Sequence, residues 1–472
     1  MALPKLDALA SGKPIVIDAC HIKIGSKYLA TNRFGCFSIL EGPEYRMLAR
    51  GELSDALYSR LERDGLIVTD RNRQGIIQKE QAKARTLFQG TSLHIIVPTL
   101  RCNHRCVYCH AASKPLDSEG FDMTEETVKK TVDLIFQSPS RHIHIEFQGG
   151  EPLLNFPIVK SAIGYAKKLN LKQKKSLRFS LVTNLTLMND EMLDYLMREK
   201  VGICTSVDGP KHIHDAARKY LEGDGSYDQV VYWVEKIKEK YPELLNVLTV
   251  VTKLSTPYPE EVVEELSRLG FTKIFIKPMN FLGFATSTWK KLGFAPEEYI
   301  GFYRKAIDYI VNSNKKTRDV FTTFVLMKVL DRTEPGYLDL QNPCGAAIGQ
   351  LCYNYDGKVY SCDEGRMIPD DVFLLGTVDQ SYKQILSSPE TCHLVHSAIN
   401  DIYSCNSCVF KPYCGLCPVC TYSSQGTLIP NLTLDSRCRI LKGVFTYIFE
   451  MLEKPKHRAV FEEWVRISKV HK

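Results

Sequence analysis

Between positions 93 and 279 the chain alternates short β-branched and aromatic runs with segments whose apolar residues return every three or four positions. Those two periodicities separate strands from amphipathic helices. They predict strands at 93–97, 142–147, 178–183, 201–207, 246–251 and 273–277. Helices are predicted at 124–136, 157–169, 190–199, 227–240 and 259–269, with starting signals at Thr124, followed by Glu126 and Thr127, and at Asn189, ahead of Asp190 and Glu191. Strands alternating with helices imply parallel βαβ units. Six strands fall short of the eight that close a (β/α)8 barrel, so a partial barrel, open on one side, fits the count.

Residues 1–90 have a different texture. Segments 28–32 and 36–40 read as strands joined by a turn at Arg33, Phe34 and Gly35, and 43–66 reads as a helix, a break at Gly51 and a second helix. Leu53, Leu57 and Leu61, four apart, form one buried stripe.

A chain of 472 residues is long for a single core, which favours two or three domains. Its 44% hydrophobic and 24% charged content is that of a soluble globular protein. A formal charge of +7 spread over this length does not argue for nucleic acid, and the Lys-rich stretch 167–175 reads as a solvated helix end and loop. No apolar window approaches the roughly 18 residues of a membrane span, and the N-terminus lacks the pattern of a secretory signal. A cytosolic location is therefore expected, with no membrane partner. Sixteen cysteines in a reducing compartment are better candidates for metal or cluster ligation than for disulfides.

Cys102, Cys106 and Cys109 leave three residues and then two between thiols, directly after the first predicted strand. Barrel chemistry gathers at such strand ends. Three thiolates on one loop can hold three irons of a 4Fe-4S cube and leave the fourth iron open. They could also belong to a zinc site completed by His104 or His110, or be unrelated buried thiols. The C-x3-C-x2-C run, with aromatic Tyr108 before the last Cys, resembles the signature of the radical S-adenosylmethionine (SAM) superfamily.

Further strand ends extend the resemblance. Gln148-Gly149-Gly150-Glu151-Pro152 follows the second strand, where two glycines allow backbone close to a ligand and a carboxylate can receive an ammonium group. Alone it is a strand-to-helix turn. After the Cys triad it resembles the superfamily's GGE motif, which implies that Gly149, Gly150 and Glu151 bind the amino group of SAM. Thr183-Asn184 closes the third strand, and Ser206-Val207-Asp208-Gly209-Pro210 closes the fourth, with Arg218 beyond. The resemblance implies that Ser206 and Arg218 contact the SAM carboxylate and ribose, with Tyr108 and Asn184 also at the cofactor. Arg suits a carboxylate because its planar fork donates twice. Asn184 and Asp208 equally suit a turn or a helix cap.

The C-terminal third carries C-x7-C-x9-C from Cys344, then C-x2-C-x5-C-x2-C from Cys405, then Cys438. Eight of these cysteines suffice for two four-ligand sites, and counting does not say which belongs to which. A zinc knuckle from Cys405, Cys408, Cys414 and Cys417 is an alternative. The segment resembles SPASM domains, including Gly357-Lys358-Val359-Tyr360-Ser361-Cys362 and Cys414-Gly415-Leu416-Cys417-Pro418. That resemblance implies one auxiliary 4Fe-4S cluster on Cys344, Cys352, Cys362 and Cys417 and another on Cys405, Cys408, Cys414 and Cys438. The usual domain has three residues where Cys414 and Cys417 have two between them, which leaves Cys420 as a substitute ligand. Cys20, Cys36, Cys204 and Cys392 read as ordinary core or surface thiols. Asp363 and Glu364 follow a predicted ligand, where sulfatase-maturing relatives of the family place a base, and the two equally suit a solvated loop.

The fold class implied is α/β: a winged-helix-like peptide-recognition module at 1–90, a partial (β/α)6 barrel at 91–315, a bridging segment at 316–343, a SPASM domain at 344–440 and C-terminal helices at 441–472. The layout resembles maturases of ribosomally made peptides, among them the His-Xaa-Ser type. The resemblance implies reductive cleavage of SAM to a 5'-deoxyadenosyl radical, which takes hydrogen from a precursor peptide to install a crosslink, thioether or epimerised residue. It also implies three 4Fe-4S clusters and an electron donor such as flavodoxin or ferredoxin. The alternatives are oxidation of Cys or Ser to formylglycine, as in sulfatase maturation, and a zinc-rich interaction protein without catalysis.

Overall fold

The computed structural model describes residues 15–16, 19–313 and 315–470. Strands β1 (Ile15–Val16), β2 (Ala19–Ile24), β3 (Lys27–Asn32) and β4 (Phe37–Leu40) open the chain, and β2, β3 and β4 form an antiparallel sheet. Helices Gly42–Arg50 and Asp55–Asp64 follow, and β5 (Ile67–Val68) returns to pair with β1. Each helix ends on a left-handed glycine, Gly51 at φ 73° and Gly65 at φ 83°, a geometry that costs a residue without Cβ little. The expected break at Gly51 is such a helix end. Leu57 and Leu61 are buried against Ala30, Leu40, Leu66 and Ile67. Leu53 lies before the Ser54 cap and packs at the rim of this cluster, so the helix itself carries two of the three leucines. Strand β2 was not expected, because Cys20-His21-Ile22-Lys23 lacks the alternation that marks a half-buried strand.

The main sheet begins with β6 (Leu93–Ile96), β7 (His142–Phe147), β8 (Ser176–Val182), β9 (Gly202–Ser206), β10 (Leu245–Val251) and β11 (Lys273–Pro278), neighbours in chain order and all parallel. Helices Glu125–Ile135, Phe156–Gln173, Asp190–Arg198, Tyr227–Lys240 and Pro259–Arg268 connect them. Thr124 and Asn189 cap their helices through side chains that accept from Thr127 N and Met192 N, as their sequence positions predict. In β7, Ile143, Ile145 and Phe147 are buried while His142, His144 and Glu146 are less so, the period-2 pattern of a strand with two different faces.

The six expected strands are the middle of a longer sheet. Beyond β11 lies the short parallel β12 (Arg318–Asp319), and on the other side β13 (Gln350–Tyr353) pairs parallel with β6, then antiparallel with β14 (Lys358–Tyr360), which pairs with β15 (Leu374–Thr377). Strands β12 and β15 are the edges, so the sheet stays open. Cys352 sits opposite Ile95, which ties the cysteine-rich segment to the strand that precedes the Cys102 loop. Helix Ser436–Leu452 packs on helix Pro296–Asn312 and completes the core. Among the described residues, no helix is long and apolar enough to cross a membrane.

Truncating the fully buried Leu61 is expected to lower unfolding free energy by ~2–5 kcal/mol in denaturant titrations. Leu53→Ala, at the rim, should cost less than half as much in the same titration.

Candidate active site

The loop carrying Cys102, Cys106 and Cys109 leaves the end of β6 and is gripped by the strand ends around it. Gly150 N donates to Thr99 O at 2.9 Å and Glu151 N to Arg101 O at 2.8 Å. A Cβ on Gly149, whose φ is +138°, would meet Thr99 O and Val97 Cγ1 at 2.6 Å, and one on Gly150 would overlap the carbonyl oxygens of Leu100 and Arg101. The close approach that these two glycines permit is therefore to the backbone of the Cys loop itself. Arg105 N and Val107 N donate to Lys219 O and Ala217 O, and Phe284 N donates to Cys109 O at 2.8 Å. Thr288 Oγ1 donates to Val107 O, and Arg366 NH1 to Ala111 O.

Side chains complete the grip. Glu151 is 1% exposed; its Oε1 accepts from Leu153 N and Thr183 Oγ1, and its Oε2 from Asn184 N. A carboxylate has about four acceptor positions, so about one stays open on Oε2. Burial holds this carboxyl above its ordinary range. Asn184 Nδ2 donates to Asn103 Oδ1 at 2.9 Å and lies 4.0 Å from Cys102 Sγ, while its Oδ1 accepts from Thr186 N. Asn184 thus joins the loop to the end of β8. Burial, followed by the negative charge of Glu151, pushes the Cys102 thiol well up.

Tyr108 is held between opposite charges. Its hydroxyl donates to Asp208 Oδ2 at 2.5 Å and accepts from Arg218 NH1 at 2.7 Å. Asp208 Oδ1 also accepts from Val250 N, which joins β9 to β10; it is not a helix cap. Among the described residues, Arg218 Nε is buried without a hydrogen-bond partner. Ser206 is half-buried on the same face of β9 as Cys204.

A second group arrives from the cysteine-rich segment. Glu364, 8% exposed, pairs with Lys277 at the end of β11, Nζ to Oε1 3.4 Å. Burial raises the Glu364 carboxyl, and the negative charge of the less buried Asp363 adds to this. His110, on the Cys loop, faces Lys277, Glu364, Arg366 and Arg218, and burial drops its imidazole to about 4. The sequence offers His110 only as a ligand in the zinc alternative and gives Lys277 no role beyond ending a strand. A lone cation ending the apolar run Ile274-Phe275-Ile276 was the available signal for Lys277.

The C-terminal thiols fall into two neighbourhoods. Cys405, Cys408, Cys414 and Cys438 line one small pocket, and Cys417 reaches its wall. Burial pushes up the thiols of Cys344 and Cys362, with the nearby Cys417 adding to both, and Cys352 is paired with Tyr360 two residues before Cys362. Cys417 caps helix Pro418–Gln425, its Sγ accepting from Cys420 N at 3.4 Å. Among the described residues, no three His, Cys, Asp or Glu side chains are arranged to hold a single metal ion. The donor set of the first loop suits an iron-sulfur cluster, being three thiols on one turn. The vacant position on Glu151 and the unpartnered Arg218 Nε suit the ammonium and carboxylate of an amino acid group such as that of SAM.

Comparison with known proteins agrees with this geometry. Residues 96–269 match the model of the Radical SAM superfamily. The Cysteine-type anaerobic sulfatase-maturating enzyme of Clostridium perfringens is 25% identical over 363 residues, covering 74% of this chain and 94% of the relative. The structure of native anSMEcpe with bound AdoMet and Cp18Cys peptide is similar in fold, with a TM-score of 0.65 at 21% identity over 81% of this chain and all of that one. Streptococcus suis SuiB bound to precursor peptide SuiA superposes with a TM-score of 0.56 at 14% identity, over 89% of this chain and 98% of its own. A cysteine loop gripped by parallel strand ends, within a segment that matches this family model, makes the chain an enzyme with a radical SAM domain.

Proposed function

We propose that the protein modifies a ribosomally made precursor peptide by hydrogen abstraction from carbon, with SAM and a 4Fe-4S cluster held by Cys102, Cys106 and Cys109. The observation that carries this reading is the convergence of the Cys loop, Glu151, Arg218 and the Lys277–Glu364 pair on one end of the sheet. When bound, the cluster and SAM supply a 5'-deoxyadenosyl radical, chemistry that side chains lack. Glu151 and Arg218 hold the two charged ends of the amino acid group, with Tyr108, Ser206, Asn184, Gly149 and Gly150 shaping the site. Tyr108, pinned between Asp208 and Arg218, keeps the guanidinium from turning away. The strand ends position the substrate carbon, a proximity task that contributes much of such a rate.

Cys344, Cys352, Cys362 and Cys417 would hold one auxiliary cluster and Cys405, Cys408, Cys414 and Cys438 another, which would supply an acceptor for the electron left after abstraction or a binding point for a substrate atom. Asp363, next to the buried Glu364, is the candidate base. Flavodoxin or ferredoxin supplies electrons in the cytosol. The divisions at 90, 315, 343 and 440 separate a leader-binding module, the radical domain, a bridge, the cluster domain and the terminal helices. The fold likeness to SuiB bound to precursor peptide, which extends over 89% of the chain, supports a peptide substrate. The second reading, oxidation of a Cys or Ser to formylglycine, is favoured by the likeness to the sulfatase-maturating enzyme over 94% of that relative.

Anaerobic reconstitution should load about twelve irons per chain with matching sulfide. Replacing Cys102, Cys106 and Cys109 by Ala should remove about four of them and abolish 5'-deoxyadenosine formation. Stoichiometric zinc without labile sulfide would refute the proposal. Asp363→Asn should slow peptide turnover by ~10²-fold or more while SAM binding holds, and unchanged turnover would remove Asp363 as the base. Mass spectrometry of the product separates the two readings, since an aldehyde captured by a hydrazine indicates formylglycine, and a loss of two hydrogens without an aldehyde indicates a crosslink.

A further inference from the structure

Beside the Lys277–Glu364 pair lies a cavity of about 390 Å³ between the end of β11 and helix Ser436–Leu452. Its walls are aromatic: Phe275, Phe281, Trp289, Phe294 and Tyr337. Phe281 meets Trp289 edge-on at 5.2 Å and Phe275 meets Tyr337 edge-on at 5.5 Å, so the rings are set by one another and not free to collapse inward. Mostly apolar cavities of ~300–1,000 Å³ with a few placed polar groups are the usual form of a binding site.

The polar groups here have a definite sign. Lys277 lines the cavity and ties it to the candidate active site through Glu364. Arg437 is the second cation; its NH2 donates to Asp339 O at 3.3 Å, but its Nε is buried without a hydrogen-bond partner among the described residues. Among the described residues the one acid in the wall, Asp435, is committed to capping helix Ser436–Leu452, accepting from Cys438 N at 2.7 Å. What fits is an aromatic side chain whose own peptide unit brings a carbonyl oxygen to Arg437.

We propose that this cavity is a specificity pocket for an aromatic residue of the substrate peptide, held beside the carbon that is modified. The inference rests on the peptide-modifying reading above. It adds a sequence requirement: an aromatic residue at or next to the modified position, with an oxygen acceptor on its backbone. Edge-to-face contact with Trp289 or Phe275 distinguishes a ring from an aliphatic chain of equal bulk.

The test uses the full-length, anaerobically reconstituted enzyme and two probes, N-acetylphenylalaninamide and N-acetylalaninamide, in equilibrium dialysis. Saturable binding of the aromatic amide, at least tenfold tighter than that of the alanine amide, is expected. Ser424→Phe, at an exposed position on the rim, and Ile440→Phe, from the opposite helix, should each weaken it at least tenfold, with circular dichroism confirming that both variants fold. Equal affinity for the two amides, or aromatic binding that survives both fillings, overturns the proposal. SAM cleavage by the parent enzyme is measured in parallel. Cleavage without selective binding overturns the pocket and leaves the radical reading standing, whereas selective binding without cleavage does the reverse.

Discussion

Two backbone hydrogen bonds, Gly150 N to Thr99 O and Glu151 N to Arg101 O, hold the cysteine loop down on the strand ends, and neither can form if a side chain intervenes at 149 or 150. Everything else in the site follows from that contact. With the backbone of 97–101 pressed against the turn after β7, the Cys102 thiol lies beside Glu151, and Glu151 reaches Thr183 and Asn184 at the end of β8. Asn184 then returns to the loop through Asn103. The glycines act on the loop's position first, and any cofactor contact is built on the result.

The electrostatics are arranged around the same point. Glu151, Asp208 and Glu364 are buried carboxyls, and each has been given donors instead of solvent: Glu151 has Leu153, Thr183 and Asn184, Asp208 has Tyr108 and Val250, and Glu364 has Lys277. A buried carboxylate without such partners would neutralise or unfold its surroundings. Arg218 and Lys277 supply the compensating charge from opposite sides. These charged groups are therefore held in place before any ligand arrives, and on the proposed reading that removes reorganisation from the cost of binding a zwitterion next to a cluster.

Local features were legible in the sequence, and distant pairings were not. The strands at 142–147 and 245–251 are visible because alternation and β-branched residues report burial directly, and the helix starts at Thr124 and Asn189 because capping is decided within four residues. The three cysteines and the glycine pair are equally local. Strand β2 escaped because His21, Ile22 and Lys23 all face solvent, and β13 because a four-residue, fully buried run carries no alternation. The bonds from Arg218 to Tyr108 and from Lys277 to Glu364 span 110 and 87 residues. Only the packing of the sheet brings those partners together, so a motif scan finds each residue or misses it without the other.

The sheet also decides how the cysteine-rich segment relates to the loop. A domain joined by a flexible linker would present its thiols at a variable distance. Here β13 is hydrogen-bonded to β6 in fixed register, with Cys352 opposite Ile95 and Tyr353 opposite Ile96, the last residue before the loop region begins. Glu364 arrives from the hairpin that β13 starts, and Arg366 from the same turn donates to Ala111 just past the third loop cysteine. The separation between the first cysteine group and Cys352 is thus a property of a continuous sheet. Under the proposed auxiliary-cluster reading, electron movement between the two groups would need a distance that does not drift, and Cys352 on the strand that neighbours β6 supplies one without a dedicated interface. The aromatic cavity adjoins the same construction, with Lys277 in its wall and Glu364 of the cysteine-rich segment paired to that lysine.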